Sequence, residues 1–441
     1  MQSLKRAVLK GSAWTLGGVA AGQIIRLGKS LILSRLLFPE AYGVMAIVWA
    51  VLVCLDLLSD VGLSPGIVRS PRGDDPSFLN TAWTMKSIRG TVLCGIVCAI
   101  AYPVSLFYHK PQLALLMPVA GVTVLIEGLG STNTYSCQRN MAYSRITMLE
   151  LLNEVVGMVV TIGWALIHPS VWALLGGAVA GRTSQVLGSH ILLPGIRNRF
   201  RWDPSALSEL ANFGKWVFLS SAIYLLYAQG DRLLLGRFLD SKLLGVYSIA
   251  IMLSEAISSV INKLTDTVLF PALSQTAIAD RNRLRGVLYR MRIGTDVLMI
   301  MPIGILTMIG GVVVRLLYDT RYQEAGWMLQ ILSIRLIMVS MLVGGASCLF
   351  ALGHSRYSVG QNVCRAIWIF TMIPLGWHFF GMKGIVCAVA LTELPVFVVI
   401  WSGMAKYKIL SLPHEMRSLA FAIAGFIIGY SLLRLSQLFG L

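Results

Sequence analysis

Long apolar runs with few charged residues dominate this chain of 441 residues. Hydrophobic residues make up 56% of it and charged residues only 13%, whereas soluble domains carry about 25% charged residues. A run of about 20 apolar residues can cross a bilayer as a helix. Lipid offers the backbone no hydrogen bonds, so only helices or closed barrels span it, and barrel strands would alternate over about ten residues. The sequence therefore predicts an all-α polytopic membrane protein.

Turn signals such as FPEAYG, HKP and SLPHE separate thirteen apolar segments. The segments cover residues 12–37, 41–68, 86–107, 112–135, 145–168, 170–194, 212–237, 243–272, 293–318, 325–352, 357–380, 382–404 and 417–438. The first twelve are predicted membrane spans. The thirteenth is either another span, which would place the C-terminus outside, or a re-entrant or surface segment. We expect six-helix bundles over residues 1–200 and 208–404, and an additional hydrophobic segment over 405–441.

The basic residues concentrate in alternate loops. A net charge of +17 would favour nucleic acid as the partner of a soluble protein. In short membrane loops, Lys and Arg instead set orientation and face acidic lipid. The basic loops hold Lys5, Arg6, Lys10, Arg69, Arg72, Arg139, Arg145, Arg197, Arg199, Arg201, Arg281, Arg283, Arg285, Lys406 and Lys408. These loops and the N-terminus are predicted to be cytoplasmic, and no nucleic acid partner is expected.

The first residues imitate a secretory signal peptide, with a basic start and an apolar stretch. The apolar pattern continues to about residue 37, so we expect an uncleaved first span. The seven cysteines are odd in number and lie mostly in apolar runs. They predict buried thiols rather than a disulfide framework or a metal site.

An internal repeat relates the two halves of the chain. Residues 14–49 align with residues 216–251 without a gap. The matches include Trp14 with Trp216, Gly28 with Gly230, Arg35 with Arg237, and Gly43-Val44 with Gly245-Val246. Six predicted spans separate the copies, so both halves have the same orientation, as in parallel-repeat transporters. The repeat predicts two six-helix bundles facing each other across a cavity.

The stretch GQIIRLGKSLILSRLL (residues 22–37) resembles the end of a phosphate-binding loop. A Walker loop requires glycine at position 23, but Gln23 stands there and no strand precedes it. We therefore expect neither nucleotide binding nor another cofactor at this stretch.

Charged residues inside the predicted spans are the candidate functional residues. A charge inside a span costs at least about 2.5–3.5 kcal/mol, so it normally faces a cavity or a partner. Arginine suits a phosphate-bearing substrate because its planar fork donates two hydrogen bonds. The candidate substrate-binding cations are Arg26, Lys29, Arg232, Arg335 and Arg182. The acids that could couple transport to Na⁺ or H⁺, or pair with these cations, are Asp60, Asp231, Glu255 and Asp56.

Structural pairing or an interfacial position is the alternative for each of these charges. The pairs considered are Lys29 with Asp56 or Asp231, and Arg182 with Glu150 or Glu154. The residues considered interfacial are Asp296, Glu150 and Arg365. Trp83, in the amphipathic stretch 69–90, is expected at the level of the lipid headgroups.

Three stretches carry a resemblance to a known family: RLLFPEAYGVMAI, DVGLSPGIVRSP and LLYDTRYQEAGWMLQILSI. A fourth, GDRLLLGRFLDSKLLGVYSIA, repeats the pattern in the second half. Over roughly residues 5–405, the chain resembles the Wzx-type flippases of O-antigen and exopolysaccharide repeat units. These belong to the multidrug/oligosaccharidyl-lipid/polysaccharide exporter superfamily.

The resemblance implies a V-shaped pair of bundles around a central cavity, working by alternating access in the bacterial inner membrane. The implied substrate is an undecaprenyl-pyrophosphate-linked oligosaccharide, and the implied partners are a polysaccharide polymerase and a chain-length regulator. It also implies a cationic cavity and Na⁺ or H⁺ coupling. Family members have 12 or 14 spans, so the thirteenth segment departs from the pattern.

Two other functions remain open. One is export of drugs or lipid II within the same superfamily, although cationic drugs favour an acidic cavity. The other is a membrane polysaccharide polymerase or ligase, which would need a sizeable outward loop. The predicted outward loops are short and no nucleophile–base constellation is visible, so we expect a protein that is not an enzyme.

Overall fold

The computed structural model describes the backbone of residues 2–60, 62–140, 142–210, 225 and 229–438. All regular secondary structure in this part is helical, without strands, which confirms the all-α prediction. Most of the predicted span 212–237, including Trp216, lies outside the described residues. So do the side chains of residues 1–16 and Arg69. The Trp14–Trp216 match therefore stays a prediction.

The helices form two compact units, Met1–Leu225 with Leu235–Leu244, and Leu226–Leu234 with Gly245–Leu441. The first unit contains α1 (Gln2–Leu36), α2 (Pro39–Leu57), α3 (Leu63–Arg69), α4 (Pro76–Phe107), α5 (Leu113–Gly128), α6 (Asn133–Arg139), α7 (Tyr143–Ile167) and α8 (Val171–Ile191). Helix α9 (Gly230–Phe238) begins in the second unit and ends in the first. Helix α10 (Ser241–Leu264) begins in the first unit and continues in the second from Gly245. The second unit also contains α11 (Phe270–Ala279), α12 (Leu284–Thr295), α13 (Met301–Leu317), α14 (Ala325–Ala351), α15 (Arg356–Ala390), α16 (Leu394–Lys406) and α17 (Leu412–Leu438). Two π-helical turns, Thr265–Leu269 and Asp296–Ile300, interrupt its helices.

Eight helical stretches of the described part are long and apolar enough to cross a membrane, and α5 with α6 would form a ninth. They are Pro39–Leu57, Pro76–Phe107, Tyr143–Ile167, Ser241–Leu264, Arg281–Leu317, Ala325–Ala351, Arg356–Lys406 and Leu412–Leu435. Helices α1 and α8, also predicted as spans, do not pass this test of length and composition. The protein is thus a multi-pass membrane protein.

The stretch Arg356–Lys406 is 51 residues long, too long for one crossing because about 20 helical residues span the hydrocarbon core. At Gly381 the backbone has φ 56° and ψ −137°, a conformation that favours glycine. A Cβ on Gly376 would lie 2.6 Å from the carbonyl oxygen of Gly384. The chain therefore reverses at Gly381, and the hairpin matches the predicted spans 357–380 and 382–404.

The predicted continuous segment 41–68 is wrong, because the chain breaks between α2 and α3. Gly62 has φ 60° at the start of α3, and its N–H donates to Asp60 Oδ1 at 2.8 Å. Glycine tolerates this left-handed conformation and the aspartate stabilises the turn.

The predicted continuous segment 112–135 is also wrong. Helices α5 and α6 meet at a bend of 59°. The short helices α3 and α6 contact each other, and Ser64 donates to Gln138 Oε1 across them at 2.8 Å. Irregular backbone at membrane depth is tolerated where it is buried in protein or lines a polar cavity. The two breaks therefore mark a candidate site.

The C-terminal helix α17 packs closely against α13. A Cβ on Gly425 would lie 2.4 Å from the carbonyl oxygen of Met301 and 3.0 Å from Gly304 Cα. Small residues allow such close approach between membrane helices. The thirteenth apolar segment is therefore an integral part of the second unit and is long and apolar enough to span.

A buried polar network fixes the start of α17. Arg292 Nη1 lies 2.6 Å from Glu415 Oε1, with side chains 4% and 1% exposed. Tyr289 donates to the same carboxylate at 3.0 Å, and Ser418 donates to Asp296 Oδ2 at 2.7 Å. Asp296, for which an interfacial position was one alternative, is enclosed in this network with its side chain 1% exposed.

The extended segment 194–203, which follows α8, is attached to α4. The N–H groups of Arg199, Arg201 and Asp203 donate to Asn80 Oδ1 at 2.8 Å, Thr84 Oγ1 at 3.1 Å and Thr81 Oγ1 at 3.1 Å. Alternate N–H groups of an extended chain point to the same side, so every second residue can donate to the helix. Arg72 Nη2 adds an ion pair to Asp203 at 2.9 Å.

We predict that a larger side chain at Gly425 will force α17 away from α13. Gly425→Leu should lower the thermal unfolding temperature in detergent, because overpacking costs about 1–3 kcal/mol. Ala420→Leu, on the exposed face of the same helix, is the matched control and should change little. Equal unfolding temperatures for the two variants would contradict the close packing.

We also predict that loss of the Asp203 charge will loosen the segment 194–203. Hydrogen bonds from Ser205 and Arg72 lower the pKa of Asp203. The attachment is therefore fully present above the ordinary aspartate pKa of about 3.9, and is lost as the pH falls through the lowered value. Asp203→Asn imitates the protonated form at neutral pH and should speed tryptic cleavage within this segment.

Fragment masses from limited proteolysis would measure this cleavage. Asp280→Asn is the control, because Asp280 also pairs with an arginine, Arg283, in a different loop. An unchanged rate in Asp203→Asn would show that the charge does not hold the segment.

Candidate functional site

Close packing of α4 against α5 places two cations beside a carboxylate. A Cβ on Gly90 would lie 2.9 Å from Gly128 Cα, so only glycines allow this approach. Lys86 and Arg89 precede Gly90 on α4, and Glu127 precedes Gly128 on α5. The helix contact therefore brings these three charges together inside the first unit.

The bend after α5 leaves backbone carbonyl groups at residues 128–130 that side chains satisfy. Trp83 Nε1 donates to Leu129 O at 3.1 Å and Ser87 donates to Gly128 O at 3.3 Å. Lys86 Nζ donates to Gly130 O at 3.3 Å. The side chain of Trp83 is buried against this bend, and its headgroup position stays a prediction.

Each arginine at this site has a carboxylate partner. Arg89 Nη2 lies 2.6 Å from Asp56 Oδ1, and Arg89 Nε donates to Ser59 at 3.0 Å. Arg182 Nη2, on α8, lies 3.4 Å from Glu127 Oε2. Both carboxylates remain about half exposed, at 56% for Asp56 and 51% for Glu127. A competing anion can therefore reach these pairs.

Two adjoining cavities, of about 180 and 190 Å³, surround these charges. Lys86, Glu127 and Tyr135 line both of them. Lys86 Nζ lies 5.6 Å from the centre of the Tyr135 ring, within the range of a cation–π contact. The breaks after α2 and α5 thus border a polar space with three cations, and we call it the Lys86 site.

Sequence reasoning missed Lys86 and Arg89. The third span was predicted to begin at residue 86, so both residues looked like charges at a span end. Helix α4 in fact begins at Pro76, which places Lys86 about 15 Å along the helix. The prediction relied on the apolar stretch 92–107. The part of α4 before it contains ten polar and aromatic residues, so it was not recognised as part of the same helix.

The predicted cations Arg26 and Lys29 both lie near Glu154 of α7. Arg26 Nε lies 3.6 Å from Glu154 Oε1, and Lys29 interacts electrostatically with the same carboxylate. The predicted pair of Lys29 with Asp56 is wrong, because Asp56 pairs with Arg89.

Arg182 was predicted to pair with Glu150 or Glu154. Its ion pair is with Glu127, while Glu150 lines the same cavity. The predicted acid Asp60 caps the turn before α3 and lines the second cavity. The Lys86 site therefore unites three of the predicted residues, Asp56, Asp60 and Arg182.

In the second unit, Asp231 and Arg232 begin α9 and contact α10. Arg232 forms a short ion pair with Glu255, and Tyr247 donates to Asp231 Oδ2 at 3.1 Å. The side chain of Glu255 is 61% exposed. These predicted residues thus form one polar cluster that remains accessible.

Arg335, another predicted cation, belongs to a buried triad. Glu393 is 0% exposed, and its two carboxylate oxygens lie 3.6 Å from Arg335 Nε and 2.7 Å from Arg365 Nη2. Arg365, for which an interfacial position was one alternative, has a side chain that is 15% exposed and paired with Glu393. One acid between two arginines leaves the triad with a net positive charge.

No group of three or more His, Cys, Asp and Glu side chains in the described part could hold a metal ion. The charged clusters of both units are held together by ion pairs.

The chain matches a family model described as polysaccharide biosynthesis protein over residues 32–327, more than half of its length. The lipopolysaccharide biosynthesis protein WzxC of Escherichia coli (strain K12) is 22% identical over 399 residues, which cover 89% of this chain and 80% of that protein. The succinoglycan biosynthesis transport protein ExoT of Rhizobium meliloti (strain 1021) is 22% identical, over 62% of this chain and 55% of that protein. The teichuronic acid biosynthesis protein TuaB of Bacillus subtilis (strain 168) is 21% identical, over 62% and 57%. This chain thus spans just over half the length of ExoT and TuaB.

Two solved structures share the fold. The lipid II flippase MurJ in an inward closed conformation has a TM-score of 0.72 at 9% identity, covering 98% of this chain and 100% of that one. An inward-facing multidrug resistance transporter of the MATE family, in the MOP superfamily, has a TM-score of 0.68 at 12% identity, covering 91% and 95%. At these identities the likeness shows the fold, and it confirms the helical transporter architecture implied by the sequence.

We predict that Glu393 is required for the stability of the second unit. Glu393→Ala removes the carboxylate shared by Arg335 and Arg365, and breaking a buried ion pair costs about 3–5 kcal/mol. Glu255→Ala is the matched control, because Glu255 also pairs with an arginine but is mostly exposed. Thermal unfolding in detergent should show a much larger loss for Glu393→Ala, and equal losses would contradict this assignment.

Proposed function

The chain belongs to the polysaccharide biosynthesis protein family, and on this premise we propose that it is a flippase for undecaprenyl-pyrophosphate-linked oligosaccharide repeat units. It moves them across the bacterial inner membrane, with its N-terminus in the cytoplasm, for the biosynthesis of lipopolysaccharide or exopolysaccharide. The observation that carries the proposal is the Lys86 site, where three cations line cavities at the broken helices α2–α3 and α5–α6.

The Lys86 site suits a pyrophosphate group. Arg89 and Arg182 each face a single carboxylate, and a pyrophosphate offers more negative charge and more acceptor oxygens than a carboxylate does. Arginine forks donate paired hydrogen bonds to phosphate, and lysine adds a point charge. The substrate therefore competes with Asp56 and Glu127 for the guanidinium groups.

Once the substrate has displaced them from the arginines, the carboxylates of Asp56 and Glu127 can drive the return of the protein to its starting conformation. When pyrophosphate occupies the cations, Asp56 or Glu127 can bind a proton or Na⁺, and departure of the substrate restores the ion pairs. Asp60, Asp231 and Glu255 are further candidates for this ion coupling. Arg26, Lys29, Arg232 and Arg335 are the further cations proposed to contact the anionic headgroup along its path.

Alternating access follows from the parallel repeat. We propose bundles over residues 1–200 and 208–404, with the segment 405–441 attached to the second bundle. The bundles rock about the pseudo-two-fold axis while the polyprenyl tail remains in lipid. The protein carries out transport rather than catalysis, and its product is consumed by a polysaccharide polymerase with its chain-length regulator.

We predict that Lys86→Ala and Arg182→Ala will each reduce transport about tenfold or more, because hydrogen bonds to charged groups contribute about 1.5–3 kcal/mol. Arg26→Ala and Lys29→Ala should also abolish transport without loss of expression. Arg283→Ala is the control, because Arg283 is an exposed cation in a loop. The measurement is the leaflet distribution of the polyprenyl-linked glycan in cells that carry each variant.

Cells lacking the protein supply the decisive comparison. Complete, unpolymerised repeat units should accumulate on the cytoplasmic leaflet. Normal transfer to the outer leaflet would refute the flippase and favour a drug exporter, or an enzyme if only chain growth were blocked. Wild-type transport in all four cation variants would refute the cavity assignment alone.

A further inference from the structure

A third cavity, of about 330 Å³, lies in the second unit and has a different chemistry from the Lys86 site. We call it the His354 cavity. Its polar and aromatic walls come mainly from Asn262, Asp266, Phe350, His354, Tyr357 and Gln361. Its volume is within the range of ligand-binding pockets, about 300–1,000 Å³, and is sufficient for a sugar ring.

A π-helical turn at Thr265–Leu269 forms one wall of the His354 cavity. Such turns insert an extra residue into a helix and are frequent at functional sites. Asp266 lies on this turn and is exposed. Asn262, one turn earlier, is also exposed. A carboxylate and a carboxamide thus reach the cavity from the same helix.

Contacts outside the cavity fix its aromatic side chains. His354 stacks on Tyr407 with ring centres 4.2 Å apart and planes 13° apart. Arg356 donates to the Tyr407 hydroxyl at 3.1 Å, which holds that ring in place. A Cβ on Gly403 would lie 2.8 Å from the Tyr357 ring, so Tyr357 packs directly against α16. The rings are therefore positioned before any ligand arrives.

The cavity walls favour an uncharged polyhydroxyl ligand. Within the described residues, its lining includes no Lys or Arg, so it offers no fixed cation to a pyrophosphate. Carboxamides donate to and accept from hydroxyl groups, and carboxylates accept hydrogen bonds from them. Aromatic rings pack against the apolar C–H face of a sugar ring, adding buried apolar surface. The His354 cavity contains both the hydrogen-bonding groups and the aromatic rings that a sugar ligand requires.

The position of the cavity along the chain agrees with this ligand. It lies where α10 ends and α15 begins, between the predicted spans 243–272 and 357–380. Both of these ends are cytoplasmic by the distribution of Lys and Arg. A glycan assembled on the cytoplasmic leaflet would meet this cavity while its lipid tail stays in the membrane.

We propose that the His354 cavity is a sugar-binding subsite that recognises a glycosyl residue of the lipid-linked substrate. Asn262, Asp266 and Gln361 hydrogen-bond the sugar hydroxyl groups, and Tyr357 or Phe350 packs against the ring. The inference rests on the proposed flippase function and adds a specificity determinant to it. The Lys86 site binds the charge common to all such substrates, whereas the His354 cavity distinguishes between glycans.

The test compares two probes on the purified full-length protein in detergent. One is the undecaprenyl-pyrophosphate-linked oligosaccharide extracted from the host's membranes, and the other is undecaprenyl pyrophosphate without sugar. Native mass spectrometry measures the affinity of each. The wild-type protein should bind the glycosylated lipid at least about tenfold more tightly, as expected for one or two additional hydrogen bonds.

Asn262→Ala, Asp266→Asn and Gln361→Ala, singly and combined, should remove this preference while leaving the affinity for undecaprenyl pyrophosphate unchanged. That unchanged affinity also shows that the variants are folded. Gln323→Ala, an exposed carboxamide outside the cavity, should retain the preference. Lys86→Ala should weaken the binding of both lipids.

The outcomes separate the two proposals. A wild-type protein that binds neither lipid would overturn the flippase function. A protein that binds both lipids equally, or whose preference survives in the combined variant, would overturn the sugar subsite and leave the flippase function standing.

Discussion

The free-energy cost of holding an ionised side chain at membrane depth is the constraint on which the rest of this structure depends. The ion pairs of both units place a charge against an opposite charge or against a freed backbone carbonyl group. Lys86 donates to the bend after α5, and Glu393 lies between two arginines. Removing either kind of partner would expose a charge to the apolar interior at a cost of several kcal/mol. The helix breaks and the charges thus stabilise each other.

The ion pairs differ in burial, and we propose that this difference separates structural charges from substrate-binding charges. The side chains of Arg292 and Glu415 are almost completely enclosed, at 4% and 1% exposed, so a ligand has no access to this pair. Asp56 and Glu127 are half exposed although they pair with arginines. An accessible pair can be exchanged for a pair with a substrate, whereas an enclosed pair can only hold helices together.

The architecture could be predicted from sequence because bilayer thickness leaves few choices for an apolar run. The hairpin at Gly381 and the division of 357–404 into two spans followed from this constraint alone. The breaks after α2 and α5 did not, because glycine is common in membrane helices and does not by itself indicate whether a helix bends. The Lys86 site was missed for a related reason, since α4 begins ten residues before the predicted span 86–107.

Charge pairing depends on which helices are neighbours, and hydropathy does not contain that information. Asp56 is among the residues predicted from the sequence, but its partner Arg89 is contributed by α4. Arg26 and Lys29 were recognised as sharing a helix face, whereas the position of Glu154 beside them follows from the packing of α1 on α7. The residue types of the candidate site could thus be predicted, but not their assembly.

The attachment of residues 194–203 to α4 has a mechanical consequence. Asn80, Thr81 and Thr84 hold this segment, and Lys86 and Arg89 follow within two turns of the same helix. A helix transmits axial displacement over such a distance with little loss, because its hydrogen bonds resist stretching. We infer that a shift of α4 caused by an anion among its cations would be transmitted to the segment 194–203, which leads from the first half of the chain to the second. Helix α4 thus links the cations Lys86 and Arg89 to the segment 194–203 that connects the two halves of the chain.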